Sequence, residues 1–162
     1  MKIESFSSSV WARPEKIPVT LDLEQLKEAI HLSANYLINR CNQNGKFLYR
    51  INLNPNIRPK PKYNLLRHAG TIYALATYDQ HYPGKITQNA LDRAVGFLKE
   101  SSIARLSTRK DLLAVWSHPE ITGSNKPVQA KLGGTGIGIL ALLSVEKRRP
   151  GTPLFFLKRL SI

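Results

Sequence analysis

The sequence predicts a mainly α-helical protein built from tandem helical hairpins, with short β segments between them. Two observations support this fold class. In two separate stretches, apolar residues recur at the three- and four-residue spacing of an amphipathic helix. Each stretch is followed, after a break, by a second helix made largely of small and apolar residues. Because a helix that is apolar on all sides is usually buried, each hairpin should have an outer and an inner helix.

The N-terminal part is predicted to hold an arm, a helix and a loop. Residues 1–20 lack a period and indicate an extended arm. A helix should follow Asp22, a favourable N-cap, and end at the turn sequence Asn44-Gly45. Residues 46–52 then favour an extended segment, and three prolines exclude a helix from residues 53–62.

Three further helices are expected, from about Asn64 to Tyr78, from about Thr87 to Ser101 and from about Gly134 to Glu146. Thr87 would be the N-cap of the second of these. Residues 112–116 and 127–130 predict two paired strands. Residues 21–147 would then form the hairpin domain, and residues 148–162 a basic and apolar tail.

Composition fits one globular domain with an anionic partner. The 162 residues suffice for a core, and 24 basic against 11 acidic residues give a formal net charge of +13. This charge favours nucleic acid, an acidic polysaccharide or an anionic membrane surface as a partner, although it also suits a surface that simply keeps a protein soluble. The one cysteine, Cys41, excludes an intrachain disulfide and is interpreted as a structural thiol. Without a signal peptide or a membrane-length apolar run, we expect a soluble, cytoplasmic protein with no membrane partner.

Two pieces of the sequence occur twice. Residues 29–37 match residues 90–98 at an offset of 61, and residues 71–75 are echoed by residues 138–142 at an offset of 67. Both matches occur in the same order along the chain, which favours an internal repeat. Each unit would contain an outer amphipathic helix, a loop or hairpin, and an inner helix of small residues.

Three motifs resemble those of a known family. They are GKFLY at residues 45–49, YNLLRHAG at residues 63–70 and KLGGTG at residues 131–136. They are similar to motifs of bacterial glucuronyl C5-epimerase-like proteins, which belong to the (α/α) toroids together with terpenoid and lanthionine cyclases. The resemblance covers about residues 25–146. It implies a cavity at the N-termini of the inner helices, faced by Tyr49, Tyr63, Asn64, Arg67, His68 and Lys131.

The chain departs from this family in length, because a toroid needs more hairpins than the two that this sequence offers. We therefore expect an incomplete barrel, whether the chain is a truncated member, an excised fragment or a small relative. Such an open arc would expose the apolar faces of its inner helices. Self-association commonly covers such faces, so the sequence predicts a homo-oligomer.

Tyr63, Arg67 and His68 form the candidate catalytic group. A histidine exchanges protons near neutral pH, a guanidinium binds a carboxylate through two hydrogen bonds, and a tyrosine can exchange a proton with a sugar. Together they would suit epimerisation or elimination on a uronate. Alternatively, Arg67 and His68 cap or cross-link helices and have only a structural role.

A second set of residues is predicted to bind the ligand. It comprises Tyr49, Asn64, Lys131, Gly134 and Thr135. Gly134 and Thr135 begin a helix whose unpaired N–H groups suit a phosphate or carboxylate, and Lys131 lies beside this helix start. Alternatively, the glycines of this segment permit close helix packing. Their spacing matches neither a dinucleotide-binding loop nor a P-loop.

No cofactor and no metal are expected. The four histidines lack a ligand spacing, Cys41 stands alone, and no pair of carboxylates suits glycosidase chemistry. The leading hypothesis is a carbohydrate-related toroid fragment that binds an anionic glycan or a similar ligand. The alternatives are a uronate epimerase or lyase that uses Tyr63, Arg67 and His68, and a basic protein that binds anions or nucleic acid. Whether the protein is an enzyme stays open.

Overall fold

The computed structural model describes residues 22–48 and 62–147, which are mainly helical with one small antiparallel sheet. The elements in chain order are α1 (Leu23–Asn39), α2 (Leu65–His81), α3 (Lys85–Ser102), β1 (Ile103–Leu106), β2 (Arg109–Ser117), α4 (Pro119–Thr122), β3 (Gln129–Ala130) and α5 (Leu132–Lys147). The predicted N-terminal arm, the proline-rich loop and the C-terminal tail lie outside the described residues. The four long helices therefore confirm the mainly α fold class, whereas the toroid type remains a prediction.

Helix α2 lies at the centre of the fold. It packs against α1, α3 and α5, and its contact with α5 is the most extensive between any two helices. Its inward side chains, including Leu65, Ala69, Ile72 and Ala76, are buried in the apolar core. The two helices predicted to be inner helices, α2 and α5, thus lie side by side.

Helix α5 is less buried than its sequence predicted. Its Ala141, Leu142 and Val145 contribute to the core, but Ile139 and Leu143 remain exposed. The helix also packs on β2, where a Cβ built on Gly138 would lie 2.7 Å from Cγ2 of Val115. The absence of a side chain at this one position therefore permits close packing of helix on sheet.

The start of α3 differs from the prediction. Thr87 was expected to be the N-cap, but the helix begins at Lys85 with Gly84 as N-cap, and Thr87 is buried inside the helix. The buried carboxylate of Asp79 accepts a hydrogen bond from the Gly84 N–H at 3.1 Å. This contact fixes the turn between α2 and α3, and so α3 begins earlier than its own sequence indicates. The predicted cap of α1 is confirmed, because the Asp22 side chain accepts from the Glu24 N–H.

The sheet has the order β1-β2-β3, and both strand pairs are antiparallel. The predicted pairing of residues 112–116 with residues 127–130 is reduced to Trp116 with Ala130, extended by Ser117 with Gln129. The longer partner of β2 is β1, which the sequence did not indicate. None of the helices in the described part of the chain is long and apolar enough to cross a membrane.

The turn after α1 depends on Gly45. Its φ of +78° lies in the left-handed region, and a Cβ there would overlap the carbonyl oxygen of Arg93 and lie 2.9 Å from Cβ of Phe97.

Gly45→Ala should therefore lower the free energy of unfolding by about 2–4 kcal/mol, from backbone strain together with overpacking. Denaturant unfolding would measure the loss. As a control, Gly70→Ala should be neutral or stabilising by up to about 1 kcal/mol, because a Cβ at this helical position meets nothing within 4 Å. Equal losses in the two variants would contradict the assignment.

Candidate functional site

A cavity of about 870 Å³ opens between the N-termini of α2 and α5. Its wall combines the residues before and within the first turn of α2, the end of β2, the loop of residues 122–129, and the start of α5. Four basic residues line it, namely Lys62, Arg67, Lys126 and Lys131, and none of the described residues in its wall is acidic. The cavity is therefore a basic site at which two helix N-termini meet.

The first turn of α2 is held in place at the edge of this cavity. The side-chain oxygen of Asn64 accepts from the N–H of Arg67 at 3.1 Å, which makes Asn64 the N-cap of the helix. The N–H of Tyr63 donates to the carbonyl oxygen of Thr122 at 3.0 Å, and this bond ties the loop of residues 122–129 to the start of α2. Both walls of the cavity are thereby fixed to one another.

The start of α5 presents backbone rather than side chains to the cavity. Gly133 and Gly134 line the wall, and a Cβ built on either residue would meet nothing within 4 Å. A packing role is therefore found at Gly138, which lies against β2, and not at Gly133 or Gly134. The N–H groups of a first helical turn lie ahead of the first intrahelical hydrogen bond, so they can bind an anion.

His68 lies behind the cavity wall, inside the core. Its side chain has no solvent exposure, Nε2 lies 2.9 Å from the carbonyl oxygen of Ala94, and Nδ1 lies 2.7 Å from the hydroxyl of Tyr63. A carbonyl oxygen only accepts hydrogen bonds, so Nε2 carries the proton and Nδ1 accepts from Tyr63. The Tyr63 hydroxyl in turn accepts from the Phe47 N–H at 2.9 Å. This chain of hydrogen bonds joins α2, α3 and the segments that precede α2 and follow α1.

Burial keeps His68 neutral. Desolvation lowers its pKa from 6.5 to about 4, although the hydrogen bond to the backbone of Ala94 favours the charged form slightly. Aromatic rings of Phe47, Tyr63 and Phe97 surround the imidazole at centroid distances of 5.1–5.8 Å. The geometry therefore favours the structural alternative for His68, and its catalytic role stays an untested prediction.

The remaining candidates divide into three groups. Tyr63, Asn64, Arg67, Lys131 and Gly134 border the cavity. Thr135 does not, because its hydroxyl accepts from the Val115 N–H at 3.2 Å and joins α5 to β2. Tyr49 lies outside the described residues.

Sequence reasoning missed two basic residues, Lys62 and Lys126, that line the cavity. Lys126 belongs to the loop between β2 and β3, and only the fold brings this loop to the start of α2. No three His, Cys, Asp or Glu side chains come together as potential metal ligands within residues 22–48 and 62–147. The basic side chains and backbone N–H groups of the cavity wall can therefore attract an anion and donate hydrogen bonds to it.

The low pKa of His68 makes stability depend on pH. Above pH 6.5 the imidazole is neutral in both the folded and the unfolded chain, so its contribution to the free energy of unfolding is at its full value. As the pH falls from 6.5 to about 4, the unfolded chain takes up a proton that the folded chain does not, so stability should fall by about 1.4 kcal/mol per pH unit, about 3 kcal/mol in total. Titration of the His68 ring by NMR would measure this pKa directly. A value at or above 6.5 would contradict the buried neutral state.

The Tyr63 hydroxyl should contribute to stability rather than only to ligand binding. Tyr63→Phe would leave the Phe47 N–H and the Nδ1 of His68 without this partner, at an expected cost of about 1–3 kcal/mol in the free energy of unfolding. Tyr73→Phe is the matched control, since Tyr73 is an exposed tyrosine on α2, and it should change stability by less than about 0.5 kcal/mol. Equal unfolding midpoints for the two variants would exclude the proposed network.

No protein-family model matches this chain, and comparisons with curated proteins and with solved structures give no significant match. Function is therefore inferred from the geometry of the site alone.

Proposed function

We propose that this protein binds an anionic ligand in the basic cavity between α2 and α5, with an acidic glycan as the leading ligand class. The observation that carries the proposal is the meeting of four basic side chains and two helix N-termini in one cavity whose described lining has no carboxylate. Cations and helix N-termini both attract negative charge, and a partly enclosed site strengthens that attraction.

The size and the polar lining favour a glycan over a single small ion. About 870 Å³ is in the range of pockets that hold ligands of drug size, and it exceeds what one phosphate or carboxylate would fill. Ser117, Ser124, Asn125 and Gln129 add hydrogen-bonding groups suited to sugar hydroxyls. Arg67 supplies the planar guanidinium that binds a carboxylate through two hydrogen bonds. A uronate-containing oligosaccharide offers both hydroxyls and carboxylates.

Binding without turnover is favoured over the epimerase or lyase alternative. That alternative needs a base at the ligand, and the nearest candidate is Tyr63, which lines the cavity and hydrogen-bonds to His68. The lowered pKa of His68 makes its imidazole a weak base, so it would promote loss of the Tyr63 proton only weakly. Incubation of an oligoglucuronate in D₂O would decide between the two: deuterium at C5 of the sugar, or an unsaturated product, would establish turnover.

Calorimetric titration with an oligoglucuronate tests the binding proposal, with a neutral cello-oligosaccharide of equal length as the control ligand. Arg67→Ala and Lys131→Ala should each weaken binding about tenfold or more, because a hydrogen bond to a charged group contributes about 1.5–3 kcal/mol. Lys110→Ala is the matched control, since it removes an exposed positive charge that does not line the cavity. It should weaken binding by less than about twofold. Equal effects of all three variants would indicate nonspecific attraction and contradict the site.

Gly133→Ala and Gly134→Ala separate binding from folding. A Cβ at either position meets open space and improves helix propensity, so stability should hold or rise by up to about 1 kcal/mol. The same methyl group would obstruct the approach of an anion to the first-turn N–H groups, so affinity for the oligoglucuronate should fall. Unchanged affinity in both variants would exclude the α5 N-terminus from the site.

Tighter binding of mixed RNA or DNA than of the glycan, with a steep dependence on salt, would support the nucleic-acid alternative instead.

A further inference from the structure

The described residues leave two apolar surfaces open, one on α5 and one between α1 and α2. The first, which we call the α5 stripe, consists of Leu132, Gly136, Ile139 and Leu143, which share one face of α5. The second, the α1–α2 groove, is a depression of about 290 Å³ between α1 and α2. The α1 side of this groove consists of Ala29, Ile30, Ser33, Ala34 and Leu37. The internal repeat explains why both surfaces are open.

The α5 stripe is the repeat equivalent of a buried face of α2. The offset of 67 that relates residues 71–75 to residues 138–142 also relates the first residues of the two helices, Leu65 and Leu132. At the same offset, the α5 stripe corresponds to Leu65, Ala69, Ile72 and Ala76, all of which are buried. The α5 side chains are open instead: Leu132 is 92%, Ile139 52% and Leu143 42% exposed. Helix α5 therefore has the same apolar positions as α2, and within residues 22–48 and 62–147 no further unit covers them.

The α1–α2 groove is the repeat equivalent of a buried face of α3. At the offset of 61, the five α1 residues of the groove correspond to Ala90, Leu91, Ala94, Val95 and Leu98, which α3 buries in the core. Ile30 is 42% exposed, whereas its equivalent Leu91 is completely buried. Helix α3 packs in this way on the inner helix of the preceding unit, α2. Helix α1 has the same face, but no inner helix of a preceding unit lies against it among the described residues.

A shielded carboxylate at the end of α5 also bears on how this helix is covered. Neither carboxylate oxygen of Glu146 has a hydrogen-bond partner among the described residues, although both are shielded from solvent. Glu146 is the equivalent of Asp79, whose carboxylate accepts from the Gly84 N–H and from Gln88 at the start of α3. The equivalent of Gln88 in the first unit is Lys27, at the start of α1.

We propose that copies of this protein associate head to tail, with the α5 stripe of one copy seated in the α1–α2 groove of the next. The packing of the second unit on the first within one chain serves as the template. In this arrangement α1 of the next copy covers the α5 stripe as α3 covers α2. The Glu146 carboxylate turns out of its shielded position to meet the first turn of α1 in the adjacent copy. Lys27 of that copy, which pairs with its own Glu24 at 2.7 Å in the free protein, exchanges this partner for Glu146. The interface is heterologous, so it generates a ring if the rotation closes and a filament if it does not.

The test measures the mass of the full chain by sedimentation velocity over a range of protein concentrations. The wild type should form dimers or larger species as the concentration rises. Ile139→Asp in the stripe and Ile30→Asp in the groove should each weaken self-association at least tenfold, because a carboxylate would be buried in an apolar contact. Leu32→Asp is the matched control on α1, at a leucine that is 62% exposed and does not line the groove. It should associate as the wild type does.

Mixing the variants distinguishes a heterologous interface from a symmetric one. Ile139→Asp keeps an intact groove and Ile30→Asp keeps an intact stripe, so an equimolar mixture can form one good interface and no second one. The mixture should therefore form a 1:1 heterodimer that does not grow further. Charge reversal gives an independent check: Glu146→Lys alone should weaken association, and combining it with Lys27→Glu should restore part of the loss.

Three results would overturn the proposal. A wild type that stays monomeric at all concentrations would exclude self-association. Normal association of Ile30→Asp would mean that the groove is not used, and that stripes pair symmetrically with one another. A lower melting temperature of Ile139→Asp, with no change in mass, would mean that the stripe is covered within its own chain. The anion site is tested by its own variants at Arg67 and Lys131, so a monomeric wild type would leave that test in place.

Discussion

The buried hydrogen bonds of His68 are the constraint on which the rest of the structure depends. An imidazole with no solvent exposure must have both ring nitrogens satisfied, since an unpaired buried polar group costs about 1–3 kcal/mol. Ala94 of α3 and Tyr63 before α2 provide the two partners. Because Tyr63 also accepts from the Phe47 backbone, the same network fixes the segment after α1. The position of Tyr63 then sets where α2 begins, and with it one wall of the basic cavity.

The cavity itself is an electrostatic consequence of where two helices start. Asn64 caps α2 and Lys131 precedes α5, so two positive helix ends and four basic side chains share one concave surface. The described lining of the cavity holds no carboxylate. Binding an anion there would stabilise the folded state by mass action.

The sequence predicted the helices well because helical periodicity is a local property. Helices α2, α3 and α5 lie within three residues of their predicted bounds, whereas α1 ends at Asn39 and not at the predicted turn Asn44-Gly45. The errors came from contacts between distant residues. Asp79 moved the start of α3 to Lys85, and pairing with β2 produced β1 from residues that lack a strand pattern of their own.

The site was predicted in part for the same reason. Asn64, Arg67 and Lys131 could be placed at helix N-termini from sequence, and they border the cavity. Lys126 could not, because its loop is brought to the site by the Tyr63–Thr122 hydrogen bond. The burial of His68 could not be predicted either. The sequence around a histidine at the start of a helix does not indicate whether its side chain faces a ligand or the core.

Binding of a polyanion and head-to-tail association of the protein would each strengthen the other. The anion site lies at the N-terminal ends of α2 and α5, whereas the α5 stripe and the α1–α2 groove run along the sides of the helices. Head-to-tail stacking that follows the internal repeat would therefore keep the cavities of successive copies on the same face of the assembly. Each copy carries a formal charge of +13, so copies repel one another at low ionic strength. A long polyanion that spans neighbouring cavities would offset this repulsion and favour assembly. By linkage, assembly would then strengthen the binding of the polyanion by the same factor.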